Sequence, residues 1–156
     1  MRLPSPIFLD TNVYIIGIVD STSPERKILE YLGFDSKEKK EDSIVLISDE
    51  LIEQILRVSK RIKNKDLGGE ILGRIWQCLN VYYVFLNYQE LFALENLGSI
   101  PREDVGVYLT ARTGGANCFV SANHKLIKAL VDITGEFECL TPDEFFKKYL
   151  SDTEYD

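Results

Sequence analysis

Five short apolar runs alternate with longer helix-like segments along the 156-residue chain, and this alternation limits the fold more than any other feature. The runs are rich in β-branched and aromatic residues, which favour strands. They occupy 7–9, 44–47, 81–86, 118–120 and 137–140. Because parallel strands are joined by crossover connections, usually helices, the chain is predicted to be an α/β protein. A mostly parallel central sheet should be flanked by helices on both faces.

Local start and stop signals predict where the helices lie. Ser23 precedes Pro24 and Thr141 precedes Pro142, both as N-caps, and Ser48 caps the helix after the second strand. The run 13–19 is apolar throughout, so its periodicity does not distinguish helix from strand. Further helices are predicted over 66–79, 88–97, 101–111 and 123–131. The apolar face of the helix after Ser48 is predicted to contain Leu51, Ile52, Ile55, Leu56, Val58 and Ile62.

The length and net charge of the chain limit its number of domains and the partners it can bind. We expect a single domain over 1–150, followed by an acidic, disordered tail over 151–156. The net charge of −7 disfavours tight nonspecific binding to nucleic acid. It does not exclude a metal-dependent nuclease, because the acidic metal ligands of such an enzyme are negative until the ions bind. The chain lacks the apolar runs of a signal peptide or a membrane span, so a cytoplasmic location is expected, with no membrane partner. Cys118 and Cys139 are predicted to be buried and reduced.

Four polar residues lie where the strands and helices of such a sheet would meet. Asp10 directly follows the first strand, Glu53 lies early in the next helix, Asp104 lies at a helix start, and Asn123 follows the fourth strand. The carboxyl ends of parallel strands share one edge of the sheet, so these side chains are expected to converge. Clustered oxygen ligands select hard cations such as Mg²⁺ or Mn²⁺. Such ions activate water and neutralise the charge of a phosphodiester.

Each of these residues also has a structural interpretation. Asp10 and Asn123 are good N-caps, and Asp104 is favourable against a helix dipole without any further role. Glu50 competes with Glu53 as the acid of its helix, and Glu103 competes with Asp104. A capping role for Asn123 is compatible with metal ligation.

Four stretches of the sequence resemble the PIN-domain family of metal-dependent nucleases. They read FLDTNVYI at 8–15, LISDELIEQILRV at 46–58, PREDVGVYLTARTGGANCFVSANHKL at 101–126 and CLTPDEFFKKY at 139–149. The resemblance covers nearly the whole chain, and it is carried by the order and spacing of the four stretches. It implies a PIN-like three-layer sandwich around a mostly parallel sheet. Many members are endoribonucleases specific for single strands, including the toxins of VapBC-type toxin–antitoxin pairs.

The resemblance also implies roles for particular residues. Asp10, Glu53, Asp104 and Asn123 would form the catalytic, metal-binding set for Mg²⁺ or Mn²⁺. Thr11, Asn12 and Ser121 would orient them. Much of the family has Asp where this chain has Asn123, although one branch of PIN-type toxins is similar to this chain there. Since Asn keeps an oxygen ligand but lacks the charge, a second metal ion should bind more weakly.

Two surface features leave alternatives open. Arg57, Lys60 and Arg61 belong to the most basic stretch of the chain, which is either a solvated face or an RNA-binding edge. Aromatic residues cluster near the third strand, and burial in the core is favoured over a role in base stacking. They are Trp76, Tyr82, Tyr83, Phe85, Tyr88 and Phe92.

The sequence therefore predicts a Mg²⁺- or Mn²⁺-dependent endoribonuclease that cleaves single-stranded RNA. A toxin role would add an antitoxin protein as a partner, and a homodimer is a further candidate assembly. The first alternative is a PIN-like module with a weakened site that binds RNA or protein without cleaving it. The second alternative is an acid-cluster phosphohydrolase acting on small phosphate esters or on DNA.

Overall fold

A single sheet of five parallel strands lies at the centre of the computed structural model, which describes residues 3–133 and 135–151. The strands are β1 (Ile7–Leu9), β2 (Ile44–Ser48), β3 (Asn80–Val84), β4 (Cys118–Val120) and β5 (Glu138–Leu140). Their order across the sheet is β3-β2-β1-β4-β5, and every neighbouring pair is parallel. The predicted α/β architecture is confirmed.

Eight α-helices are found in the described part of the chain. They are α1 (Thr11–Val19), α2 (Pro24–Leu32), α3 (Asp49–Ile62), α4 (Lys65–Cys78), α5 (Tyr88–Leu97), α6 (Val105–Thr113), α7 (His124–Ile133) and α8 (Pro142–Phe145). A 3₁₀ turn at Arg102–Asp104 precedes α6, and a π-helical turn at Phe146–Leu150 follows α8. The ambiguous run 13–19 belongs to α1, whose exposed positions are too few to give a helical periodicity.

The predicted helix caps are confirmed by their hydrogen bonds. Ser23 Oγ accepts from the backbone N–H of Arg26 at 3.1 Å, and Ser48 Oγ accepts from that of Leu51 at 3.3 Å. Thr141 forms a reciprocal capping box with Glu144. These caps satisfy backbone donors that a helix start leaves unpaired, so local sequence suffices to set the helix starts.

The topology reverses at β1, and this creates the crevice where the candidate site lies. From β1 the chain adds β2 and β3 on one side, then crosses to place β4 and β5 on the other. The carboxyl ends of β1 and β4 lie side by side where the strand order reverses, and open α/β sheets bind ligands at such a point. The residues directly after these two strands are Asp10 and Ser121.

The aromatic residues around β3 depart from the sequence prediction. Most of them are exposed rather than core residues, with Phe85 at 81% and Tyr82 at 58%. Trp76, Tyr88 and Phe92 are also exposed, and Tyr83 is partly covered by ring contacts with Trp76 and Phe85. The prediction was wrong because β3 is an edge strand, which a strand pattern alone does not reveal.

The buried face of α3 also differs from its predicted face. Leu51 and Ile55 are fully buried as expected, whereas Leu56 and Ile62 are 42% and 54% exposed. Ser59 is fully buried instead. Its hydroxyl has no hydrogen-bond partner among the residues that the structure describes. Ile52 and Val58 are partly buried against the core, so four of the six predicted apolar positions face inward and Leu56 and Ile62 do not.

Removing the side-chain hydroxyl should lower the stability of the fold at Ser48 but not at Ser59. Ser48 caps α3 and shares a buried 2.7 Å hydrogen bond with Thr110, so Ser48→Ala is expected to cost about 1–2 kcal/mol. Ser59→Ala removes a buried hydroxyl that is unpartnered within the described residues, so it should be neutral or stabilising. Urea unfolding of both variants is the measurement, and an equal loss in the two would contradict the prediction.

Three further findings concern membrane-spanning helices, the predicted C-terminal tail and the cysteines. No helix within the described residues is long and apolar enough to cross a membrane. The predicted acidic tail lies outside the described residues except for Ser151. Cys118 and Cys139 are buried, as predicted, and neither forms a disulfide within the described residues.

Candidate metal centre

Asp10 is a buried carboxylate at the end of β1, only 5% exposed. Its Oδ1 accepts a 2.8 Å hydrogen bond from the backbone N–H of Thr11, which caps α1. Its Oδ2 accepts a 2.8 Å hydrogen bond from the Ser121 hydroxyl. Burial raises the pKa of Asp10 above its ordinary value, and these two hydrogen bonds offset the rise only in part. An ionised Asp10 therefore destabilises the crevice unless a cation lies nearby.

Ser121 joins the ends of β1 and β4 through a set of hydrogen bonds. Its hydroxyl donates to Asp10 and accepts from the Asn12 side-chain amide at 3.2 Å. The Asn12 Oδ1 in turn accepts from the backbone N–H of Ala122 at 2.9 Å. This network holds the Asp10 carboxylate in one orientation. The structure thus places Asn12 and Ser121 beside Asp10, where the sequence expected orienting residues.

Asn123 lies two residues after Ser121, and its side chain caps α7. Its Oδ1 accepts from the backbone N–H of Leu126 at 3.2 Å, while its own N–H donates to Ser121 Oγ at 3.0 Å. The capping interpretation therefore describes the side chain in this structure. Its predicted role as a metal ligand stays a prediction.

Asp104 ends the 3₁₀ turn before α6 and is half-buried. Burial, with the negative charges of Asp10 and then Glu103, raises the pKa of Asp104 to about 6. The charge of Asp10 is therefore felt at Asp104. Because the charge of Asp10 raises the pKa of Asp104, a cation nearby would favour the ionised form of Asp104.

The raised pKa of Asp104 predicts how the metal-free protein responds to pH. Between the ordinary pKa of an aspartate and about 6, the folded state binds more protons than the unfolded state, so stability falls as pH rises through this window. Since Asp104 is half-exposed, solvent screening should limit the effect to about 1 kcal/mol. Thermal melts with chelator at pH 5 and pH 7 should show it, and Asp104→Asn should reduce the difference. An unchanged pH difference in the variant would contradict the assignment.

The structure does not bring Glu53 to this pair of acids. Its side chain is 71% exposed and forms an ion pair with Arg57, one turn further along α3, at 3.6 Å. The α3 residue that contacts the Asp10 segment is Gln54, whose Oε1 accepts a hydrogen bond from the Thr11 hydroxyl. Sequence reasoning missed Gln54 because the apolar pattern does not fix the rotation of α3.

Glu50 lies one turn before Gln54 on α3 and packs against α6. A Cβ placed on Gly106 would lie 3.2 Å from the Glu50 Cβ, so glycine permits this close approach. Burial raises the pKa of Glu50, as do the charges of Glu53 and Asp49. Glu50, the predicted competitor of Glu53, is therefore the less solvated of the two acids.

A polar groove of about 180 Å³ lies between α3, α5 and the start of α6, and neither Asp10 nor Asp104 is among its lining residues. Gln54 lines it and also contacts Thr11, so the groove adjoins the Asp10 segment. Its charged lining residues are Glu50, Glu53, Arg57, Glu95, Arg102 and Glu103. Of the predicted RNA-binding residues, Arg57 lies in this groove, while Lys60 and Arg61 are exposed further along α3.

The residues present fit a hydrated divalent ion better than a fully enclosed one. No group of three or more His, Cys, Asp or Glu side chains able to hold a metal ion is formed within 3–133 and 135–151. Mg²⁺, however, is commonly bound by one or two carboxylates together with waters and substrate phosphates. Asp10 and Asp104 supply two carboxylates in a partly buried crevice, with only oxygen donors among the predicted ligands. The four-residue ligand set stays a prediction.

The strand order, the crevice at β1 and β4 and its carboxylates define a PIN-like α/β fold. Two solved structures share it. VapBC2 from Rickettsia felis, bound to a DNA fragment from its promoter, matches with a TM-score of 0.58 and 17% identity, over 86% of this chain and 97% of that chain. VapBC-1 from nontypeable Haemophilus influenzae matches with a TM-score of 0.57 and 13% identity, over 88% and 98% of the two chains.

No protein-family model and no curated protein sequence matches the chain. At identities of 17% and 13%, the structural likeness shows the fold alone. The resemblance to PIN-domain and VapBC-type proteins that the sequence predicted is confirmed at that level.

Proposed function

We propose that this protein is a Mg²⁺- or Mn²⁺-dependent endoribonuclease that cleaves single-stranded RNA at the crevice between β1 and β4. The observation that carries the proposal is the buried Asp10 carboxylate, which Thr11 and Ser121 hold at the topological switch point of a fold shared with VapBC structures. Mutual repulsion of two partly buried carboxylates is relieved by a cation, and oxygen ligands favour Mg²⁺ or Mn²⁺.

Different residues would bind the ion, orient its ligands and contact the RNA at such a site. Asp10 and Asp104 would hold the ion, which when bound neutralises charge on the phosphodiester and activates water. Ser121 and the backbone of Thr11 hold the Asp10 carboxylate in place through the two hydrogen bonds described above. The groove beside α3 and α5 would receive the RNA chain, with Arg57 and Arg102 as its cations.

A toxin role with an antitoxin protein as partner belongs to the same proposal. The structures that share the fold are VapBC toxin–antitoxin complexes, and this supports a protein partner. Homodimer formation and a cytoplasmic location remain predictions from the sequence.

Cleavage assays on the full chain test the proposed reaction. Labelled single-stranded RNA, single-stranded DNA of the same sequence and nucleotide monophosphates are each incubated with Mn²⁺ or with chelator. We expect internal cuts in RNA that depend on Mn²⁺. Release of phosphate from the nucleotides alone would replace the proposal with a phosphohydrolase. RNA binding without cutting would replace it with the binding module, which Gln54 and Asn123 would favour because neither carries the charge of a carboxylate.

A further inference from the structure

Four aromatic side chains form one continuous surface beside β3, which we call the aromatic platform. They are Trp76, Tyr83, Phe85 and Tyr88. The Tyr83 ring contacts those of Trp76 and Phe85, with ring centres 6.2 Å and 5.0 Å away. Phe85 and Tyr88 line one small pocket and are 81% and 55% exposed. Exposed apolar patches of this kind commonly mark a binding surface.

The platform lies at the edge of the sheet that also carries Asp10. Val84 pairs with Ser48 at the end of β2, so Phe85 is the first residue beyond the paired strands. The parallel register of β1 and β2 puts Asp10 level with Ser48. Since β1 and β3 are two inter-strand spacings apart, about 10 Å separates them. An RNA strand bound at Asp10 can therefore reach the platform within a few nucleotides.

The polar groove connects the platform to the Asp10 segment. Glu50 lines both the groove and the pocket of about 70 Å³ at Phe85 and Tyr88. The groove in turn adjoins the Asp10 segment through Gln54. One continuous surface therefore leads from Asp10 to the platform.

The charges along this surface indicate which part of a nucleic acid each end can bind. Arg57 and Arg102 line the groove, whereas the charged residues that line the pocket at the platform are Asp49 and Glu50. These two carboxylates repel phosphates, so the platform can bind a nucleic acid only through its uncharged bases. Aromatic side chains bind bases in this way, because every base has a flat face that stacks on a ring.

We propose that the aromatic platform binds unpaired bases of the RNA by stacking, with Phe85 as the principal contact. The inference rests on the proposed function, because it names the feature of the RNA that the same site selects. In a duplex the faces of the bases are covered by neighbouring base pairs, whereas in a single strand they are free to stack on a protein. Phe85 therefore contributes to the selection of single-stranded over double-stranded RNA.

RNA binding by the full chain with chelator present tests the inference without cleavage. Fluorescence anisotropy of a labelled oligouridylate compares the wild type with Phe85→Ala, Phe85→Tyr and the matched control Tyr82→Ala. Phe85→Ala should weaken binding about tenfold, because one base stack contributes about that much. Phe85→Tyr keeps an aromatic ring and should bind within about twofold of the wild type. Tyr82→Ala should do the same, because Tyr82 is exposed on the opposite face of β3.

The salt dependence of binding separates stacking from contact with phosphates. The slope of log affinity against log salt concentration should be the same in Phe85→Ala and the wild type, because stacking releases no counterions. Arg57→Gln should reduce that slope by about one. Double-stranded RNA should bind equally to the wild type and to Phe85→Ala, because its bases do not reach the platform.

The outcomes distinguish the inference from the proposed function. Equal oligouridylate binding by the wild type and Phe85→Ala, with Mn²⁺-dependent cleavage by the wild type, would overturn the inference alone. Weaker binding by Phe85→Ala without any cleavage would uphold the platform and reject the nuclease. Failure of the wild type to bind RNA, or a smaller salt slope in Phe85→Ala, would also overturn the inference. A dimer that Phe85→Ala dissociates, with unchanged RNA affinity, would assign the platform to a second copy of the chain.

Discussion

Asp10→Asn is expected to abolish Mn²⁺-dependent cleavage of single-stranded RNA, with a loss of roughly a thousandfold or more. The substitution removes one of the two carboxylates proposed to hold the ion, and stabilisation of charge by a metal contributes several kcal/mol to such reactions. The introduced amide keeps an oxygen that can accept from the Thr11 backbone N–H, so the cap of α1 should survive.

The same substitution should not lower the melting temperature of the metal-free protein. Burial raises the pKa of Asp10, which means that its charge destabilises the folded state when no ion is present. Cleavage is measured with Mn²⁺ and with chelator, and melts are recorded with chelator. Asp66→Asn, which removes an exposed first-turn acid of α4, is the matched control and should retain full cleavage.

Two results would contradict this account. Full cleavage by Asp10→Asn would exclude the metal site built on Asp10 and Asp104. A clear drop in its metal-free melting temperature would instead identify Asp10 as a structural cap whose charge stabilises α1.

Phe119→Ala is expected to lower the free energy of unfolding by about 3–5 kcal/mol, the largest effect on stability. Phe119 is fully buried on β4, and its ring stacks on Phe8 at 4.9 Å and on Phe137 at 5.9 Å between ring centres. Its ring therefore packs between β1 and the residue that precedes β5. For a domain of this size, the loss corresponds to a fall in melting temperature of roughly 10 °C.

Phe85→Ala is the matched control for this prediction. Phe85 is 81% exposed just beyond the edge strand β3, so its truncation should change stability by less than about 0.5 kcal/mol. Urea unfolding of both variants gives the comparison. Similar losses for the two substitutions would show that the exposed aromatic cluster contributes to the fold as much as the core does.

The local features of this fold could be predicted from the sequence because they depend on neighbouring residues. The caps at Ser23, Ser48 and Thr141 each satisfy a backbone donor three residues away. The strand that delivers Asp10 is marked by its apolar run and abrupt end. The parallel sheet follows from helices separating the strands.

Features that depend on distant parts of the chain were predicted less well. The exposure of Tyr82 and Phe85 follows from the place of β3 at the edge of the sheet, which no local pattern encodes. The sequence predicted Glu53, with Glu50 as its competitor, and the contact of Gln54 with Thr11 was not foreseen because packing decides which side of α3 faces α1. The local sequence does not show which of two adjacent polar residues on a helix faces the site. Only tertiary contacts distinguish them.

The side-chain amides of Gln54 and Asn123 also have a genetic consequence. The codons of Gln and Glu differ at their first base, as do those of Asn and Asp, and the side chains of each pair have nearly the same shape. Single-base changes at positions 54 and 123 can therefore add charge to the crevice without disturbing its packing. Selection acting on the gene could thus adjust the affinity of this crevice for the proposed ion in small steps, in either direction.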